Sequence, residues 1–187
     1  MRELVYFVAT SVDGYIATAD GDYTPLLIEG DSLTALIERY PEILPAQARE
    51  ALGIDAPNQA FDTVLMGART YRVPGARPSP YPHLRQVVVS RSIVDVPADV
   101  TVVSGDVVQR VRALKQERGA AIWLCGGGTL AAQLLPEIDR LMLKVTPVVL
   151  GNGLPLFHGG VGRTAFEPRS HERFANGMTL HEYVRIP

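Results

Sequence analysis

Cysteine is nearly missing from this chain: Cys125 stands alone among 187 residues. One thiol cannot close an internal disulfide, so the fold has to stand on packing, as in a reducing compartment. Long apolar runs are missing too. No stretch approaches the roughly 20 apolar residues of a membrane helix. The apolar segment 4–9 follows Arg2 and Glu3 and breaks at Thr10, Ser11 and Asp13. That is too short for a secretory signal. Neither sign of charge dominates, with 18 basic residues against 20 acidic ones. Such a balance gives no electrostatic reason to expect nucleic acid or an anionic membrane as partner. His83, His158, His171 and His181 are scattered, with no pair at metal-ligand spacing, so no metal site is expected. A G-x-S-x-G elbow and a Walker lysine motif are also lacking. What remains is a soluble, cytoplasmic protein, expected to form a single domain over residues 1–187.

The patterns that are present alternate between strand and helix. Residues 4–10 (LVYFVAT) read as a buried strand closed by the turn-forming Asp13-Gly14 pair. Asp31 or Ser32 is placed to cap a helix carrying Leu33, Leu36 and Ile37 on one face, stopped by Pro41. A second short helix runs through AQAREAL to Gly53. Residues 63–66 (TVLM), 86–89 (QVVV) and 101–104 (TVVS) give further strands. Between the first two, residues 74–82 hold four prolines and a glycine. They form an irregular loop, either a mobile flap or a static surface segment.

Val107, Val108, Val111 and Leu114 repeat at helical spacing, with Gly119 as the stop. The strand AIWLC then delivers three glycines to a short helix, TLAAQLL, ended by Pro136. Residues 141–150 are expected as one long strand in which Pro147 marks an edge or a bulge. That strand and the following GNGLPLF segment belong either to an ordinary core or to a dimer contact. Asn176-Gly177 between two β-like stretches signals a hairpin. Together these predict a mostly parallel mixed sheet flanked by helices, with an antiparallel C-terminal hairpin.

The segment AIWLCGGGTLAAQLL carries the most chemistry. A strand brings Gly126, Gly127 and Gly128 to the start of a helix, where bare backbone approaches a ligand closely and N–H groups face an anion. The bland alternative is a tight turn that needs glycine only for its dihedral angles. Gly126, Gly128 and Ala131 also spell G-x-G-x-x-A, but the next strand ends at Leu150-Gly151 without the ribose-binding carboxylate of a Rossmann unit. Two other strand ends carry Arg69-Thr70 and Ser90-Arg91-Ser92. An arginine fork with hydroxyl donors suits a phosphate, although each arginine alone reads first as a solvated loop residue. Cys125 is open to two readings, a nucleophile or a small buried hydrophobe.

FVATSVDGYIA, VLMGARTY, VVVSR and IWLCGGGTLAAQLL resemble, in order and spacing, the dihydrofolate reductase-like proteins. The resemblance is strongest to the branch of the riboflavin-biosynthesis reductase domain and its stand-alone relatives, and it covers nearly the whole chain. It implies NADPH as cofactor, with Gly67, Arg69 and Thr70 at its phosphates and Ser90 and Arg91 at the 2′-phosphate. Gly126, Gly127, Gly128 and Thr129 would hold the pyrophosphate. Ala9 and Ile16 would line the nicotinamide pocket, with Cys125 nearby, and the protein would be a homodimer. The family pattern sets an arginine directly after the glycine of MGRxTY, where this chain has Ala68. The helix carboxylate that serves folate reduction has no counterpart in pattern, although Asp31 and Glu38 lie in that region.

Asp13, in a Ser-Val-Asp-Gly context resembling the Ser-Leu-Asp-Gly of that branch, is the candidate catalytic carboxylate; the alternative is a turn former. The expected activity is NADPH-dependent hydride transfer to a small pterin- or pyrimidine-like substrate. The rival is a non-catalytic NADP(H)-binding or sensor protein on the same fold.

Overall fold

The computed structural model describes residues 1–73 and 75–186. Ten strands form, in chain order, β1 (Leu4–Thr10), β2 (Tyr15–Ala17), β3 (Phe61–Gly67), β4 (Arg85–Val89), β5 (Val100–Val103), β6 (Ala121–Gly126), β7 (Arg140–Val145), β8 (Leu154–Pro155), β9 (Phe166–Arg173) and β10 (Thr179–Arg185). The helices are α1 (Gly30–Arg39), α2 (Ala46–Ala51), α3 (Ala68–Tyr71), α4 (Val107–Gln116) and α5 (Gly128–Leu134). Eight strands make one sheet in the order β5-β4-β3-β6-β1-β7-β10-β9. Neighbours from β5 through β7 are parallel, while β10 runs antiparallel to both β7 and β9. The expected mixed α/β architecture with its C-terminal hairpin is the architecture observed.

Strand alternation sorts the core onto two faces. Tyr6, Leu65, Val87 and Leu124 meet Val111 and Leu114 of α4 and Leu130 and Leu134 of α5. Phe7, Phe61 and Trp123 face the other way, toward Leu36 of α1 and Ile43. Each large side chain sealed there contributes roughly 1.5–3 kcal/mol. The Trp123 indole is polar at one point only, and its Nε1–H donates to the Phe7 carbonyl at 2.9 Å.

One buried carboxylate anchors the entry to β3. Glu42 is fully buried, and it accepts hydrogen bonds from the backbone N–H groups of Ala60 and Phe61, both at 2.7 Å, and of Gln59 at 3.3 Å. These amides stand at the entry to β3, and the side chain satisfies them, above all the N–H of the buried Phe61, which burial would otherwise orphan.

The structure departs from the sequence pattern at three places. First, α1 begins at Gly30, before both expected caps. The Asp31 carboxylate instead accepts from Ala175 N, and the Ser32 hydroxyl donates to the Glu29 carbonyl. Tertiary partners have claimed the two capping groups. Second, β7 stops at Val145, five residues short of the expected Leu150, and it lies inside the sheet between β1 and β10. Pro147 follows the strand as a terminator and marks neither an edge nor a bulge, since a residue without N–H cannot extend the ladder.

Third, β2 and β8 pair as a small antiparallel ribbon that carries no legible strand signal. It folds the 151–158 segment back over the sheet, with Leu156 N donating to Gly14 O and His158 N to Gly128 O. Of the proline-rich loop expected over residues 74–82, Pro74 lies outside the described residues; 75–82 form no regular element.

Candidate functional site

The carboxyl ends of the parallel strands lie along one edge of the sheet, where open α/β sheets bind ligands. Gly67 ends β3 and Gly126 ends β6, and the two strands are neighbours. A methyl added at Gly67 would sit 3.6 Å from both Gly126 O and Gly127 N. One added at Gly126 would lie 3.4 Å from Thr70 Oγ1. The β2–β8 ribbon brings Ile16 to the same place. Five of the residues singled out from sequence, Gly67, Thr70, Gly126, Gly127 and Ile16, therefore converge on one saddle.

The three consecutive glycines 126–128 are glycine for different reasons. Gly126 has φ +150°, a backbone conformation that side chains resist. At Gly128 a Cβ would stand 2.1 Å from the Pro155 carbonyl oxygen, so the ribbon packs directly on its backbone. Gly127 has neither constraint. Its backbone is extended (φ −101°, ψ −170°), and beyond its chain neighbours an added Cβ would make only ordinary contacts, 3.8 Å to Thr70 Oγ1 and 3.9 Å to Ile16 Cδ1.

A second region opens beside the saddle. An open cleft of about 560 Å³ is lined by Ala68, Ser90, Arg91, Ser92, Ser104 and Asp106, among others. Ser90 is buried, and its Oγ accepts from Ser92 N at 3.1 Å and Ile93 N at 3.0 Å, which fixes the turn that presents Arg91. Arg91 and Arg69 are exposed and enter no ion pair among the described residues. Asp106 caps α4, its Oδ1 accepting from Val108 N and Gln109 N. Thr129 is exposed on the first turn of α5.

Asp13 sits on the opposite flank, exposed at the β1–β2 turn. Its carboxylate accepts from Leu150 N at 3.1 Å and Gly151 N at 2.8 Å, pinning that turn to the segment after β7. A hydrogen bond from Ser11, and then those two amides, hold its carboxyl below the usual range. A carboxylate so held stays ionised at neutral pH and is a poor proton donor.

Ala9 is half-buried near the end of β1 and pairs in register with Lys144 of β7. Cys125 is half-buried just before the glycines, on the α1 side of the sheet with Tyr81. Burial pushes its thiol up to about 11. The thiol is neutral at pH 7, which fits the small-hydrophobe reading better than the nucleophile.

Lys144 is the residue that pattern reading passed over. It is one of only two lysines in the chain, set in an otherwise apolar strand (LMLKV) with no nearby acid. That isolation is the signal that would have found it. Among the described residues no cluster of His, Cys, Asp or Glu fit to hold a metal occurs, and no helix is long and apolar enough to cross a membrane.

Comparison with known proteins gives the frame. The chain is 30% identical over 190 residues to the uncharacterized protein YwjB of Bacillus subtilis (strain 168), covering 98% of each. Its structure matches that of a Shewanella sp. PV-4 protein bearing a riboflavin biosynthesis name, with a TM-score of 0.70 at 24% identity over the whole of both chains. It also matches dihydrofolate reductase from Enterococcus faecalis complexed with NADP(H), with a TM-score of 0.66 at 14% identity, over 99% of this chain and 97% of that one. The family model described as the RibD C-terminal domain matches residues 2–180. With the dihydrofolate-reductase-like sheet and this match over nearly its full length, the chain belongs to the RibD C-terminal domain family.

Proposed function

We propose that this protein is an NADPH-dependent reductase acting on a small heterocycle of pyrimidine or pterin type. The observation that carries the reading is the convergence of Gly67, Thr70, Gly126 and Gly127 on one saddle at the carboxyl ends of β3 and β6, where a side chain at Gly127 would occupy ligand space. In this reading the pyrophosphate lies over Gly126 and Gly127, with Thr70 donating from one side. The 2′-phosphate enters the cleft to meet Arg91, with Arg69 beside it, and the hydroxyls of Ser90 and Ser92. Ser90 Oγ already accepts two amide bonds, so its own hydrogen remains for a phosphate oxygen. Gly128 holds the ribbon in place, and Thr129 stands at the mouth. Ala9 and Ile16 wall the nicotinamide end, where a methyl and a branched alkyl chain exclude water without crowding the ring.

When bound, the dinucleotide supplies hydride, and the protein supplies position and electrostatics. Asp13 positions the β1–β2 turn at that end rather than moving a proton, in keeping with its ionised, doubly bonded carboxylate. The single cysteine supports a cytoplasmic setting, and the resemblance supports a homodimer.

Arg91→Ala is expected to weaken NADPH binding about tenfold to a hundredfold. A charge-assisted hydrogen bond is worth roughly 1.5–3 kcal/mol and every 1.4 kcal/mol is tenfold. NADH, which lacks the 2′-phosphate, should bind the variant and the parent equally. Equal losses for both nucleotides would place Arg91 elsewhere.

The second reading, a nucleotide-binding sensor without turnover, draws on the clamped Asp13 and the missing helix carboxylate. Rapid mixing of the NADPH-loaded protein with pyrimidine- and pterin-type acceptors separates the two. Loss of dihydronicotinamide absorbance supports a reductase, whereas binding without oxidation across the panel favours the sensor.

A further inference from the structure

The two lysines of this chain live in opposite surroundings. Lys115 is an ordinary structural cation: its Nζ lies 2.7 Å from the Asp139 carboxylate and donates to Glu137 O at 3.0 Å. Lys144 has no hydrogen bond or ion pair among the described residues, and its Nζ lies 4.8 Å from the centre of the Phe7 ring. It is half-buried, so the ammonium is neither sealed in the core nor free in water.

The elements around it bring few charges. From β1 come Phe7 and Ala9, which carry none, and from β10 comes Leu180, its register partner. Two residues beyond Leu180 on β10, Glu182 is already paired with Arg140, four residues before Lys144 on β7, at 2.9 Å. Glu172 of β9, the register partner of Leu180, is held by Arg39 of α1 at 2.8 Å, the buried Glu42 is taken up by backbone amides, and the Tyr71 hydroxyl donates to Pro78 O. Cys125 of β6, Tyr81 and Tyr40 lie on this face as well. Burial raises all three, so each is uncharged at neutral pH. An ammonium without a counter-ion, open on one side and adjacent to Ala9, is placed to meet something that is not protein.

We propose that Lys144 meets the acceptor atom of the substrate, a carbonyl oxygen or imine nitrogen of a heterocycle, and delivers the proton that completes its reduction. The proposal rests on the reductase reading above. The substrate carbon gains a hydride from a reduced nicotinamide dinucleotide, and the π pair of C=O or C=N moves onto the heteroatom. A new O–H or N–H bond forms there as an Nζ–H bond breaks. The products are the reduced substrate, the oxidised dinucleotide and a neutral Lys144 amine, which regains its proton from water.

The acidity suits this task. Burial lowers the Lys144 ammonium to about 8, although Cys125 pulls slightly the other way. A donor near the working pH is the efficient kind. The protonated form is the active one, so the rate should hold below pH 8 and fall as pH rises through that value.

Because the chain has only two lysines, lysine labelled with ¹³C at Cε gives two signals, and Lys144→Met assigns them. The Lys144 signal should titrate near 8, and NADPH should shift it. Lys144→Met should lower oxidation of NADPH by the same acceptors about a hundredfold or more, with NADPH affinity within twofold. Lys144→Arg keeps the charge, but its guanidinium does not release a proton, so it should not rescue. The methionine side chain suits the apolar face, so the variant should fold. A Lys144 midpoint near 10 with NADPH bound, or wild-type oxidation in Lys144→Met, overturns the proposal and leaves the reductase reading standing. Failure of the wild-type protein to bind NADPH overturns both.

Discussion

Gly127→Val is expected to leave the protein folded and to weaken NADPH binding by about a hundredfold or more. The backbone at Gly127 is already extended, which suits a β-branched residue. Beyond its two chain neighbours, its added Cβ meets no atom closer than 3.8 Å. Loss of glycine at the head of α5 should cost about 1 kcal/mol, a small fraction of ordinary stability. The branched side chain would fill the saddle and hold a pyrophosphate away from the backbone amides. Two charge-assisted hydrogen bonds, at roughly 1.5–3 kcal/mol each, would go with it. Gly127→Ala should fall between the two proteins.

Gly128→Ala is the control, because its Cβ would strike Pro155 O at 2.1 Å and the loss should be one of stability. Calorimetric titration paired with thermal melting reads both effects. If Gly127→Val bound NADPH as tightly as the parent, the saddle would not be the phosphate site.

Glu42→Ala is expected to destabilise the protein by about 3 kcal/mol or more. Two short amide bonds and one longer one end on a carboxylate with no exposed surface. Each buried donor left without a partner costs roughly 1–3 kcal/mol. For a chain of this size each kcal/mol moves the midpoint by about 2–4 °C. A fall in Tm of about 6–12 °C follows. Glu42→Gln keeps an oxygen for Ala60 and Phe61 and sets an amide only against Gln59, so it should lose less than half as much. Equal losses in the two variants would mean that charge, and not amide satisfaction, is what Glu42 supplies.

The strands were legible where burial on both faces writes a continuous apolar run. LVYFVAT, TVLM, QVVV and AIWLC all fall in the parallel part of the sheet. The hairpin was legible because Asn176-Gly177 forms its turn, with Gly177 at φ +85°. The β2–β8 ribbon was not, since strands of three and two residues carry no period to detect. The caps of α1 misled because Asp31 and the Ala175 amide it accepts from are 144 residues apart, and local propensity does not see that distance. In the site, the glycines and arginines stood out as motifs. Pattern alone could not say which glycine served backbone conformation and which served packing. That distinction needed the neighbours of each absent Cβ. Lys144 went unread for the same reason, because what matters about it is the missing counter-ion.

The most direct measurement is a calorimetric titration of the purified wild-type protein with NADPH and with NADH at matched salt. The cleft holds an arginine suited to a 2′-phosphate and, in Asp106, a carboxylate with one oxygen not engaged by α4 amides. NADPH binding at least about tenfold tighter than NADH is the expected result, carried by Arg91. Equal binding of the two, or tighter NADH through Asp106 and the ribose hydroxyls, would contradict the assigned 2′-phosphate site. No binding of either at millimolar concentration would leave the dihydrofolate-reductase-like fold without the proposed function.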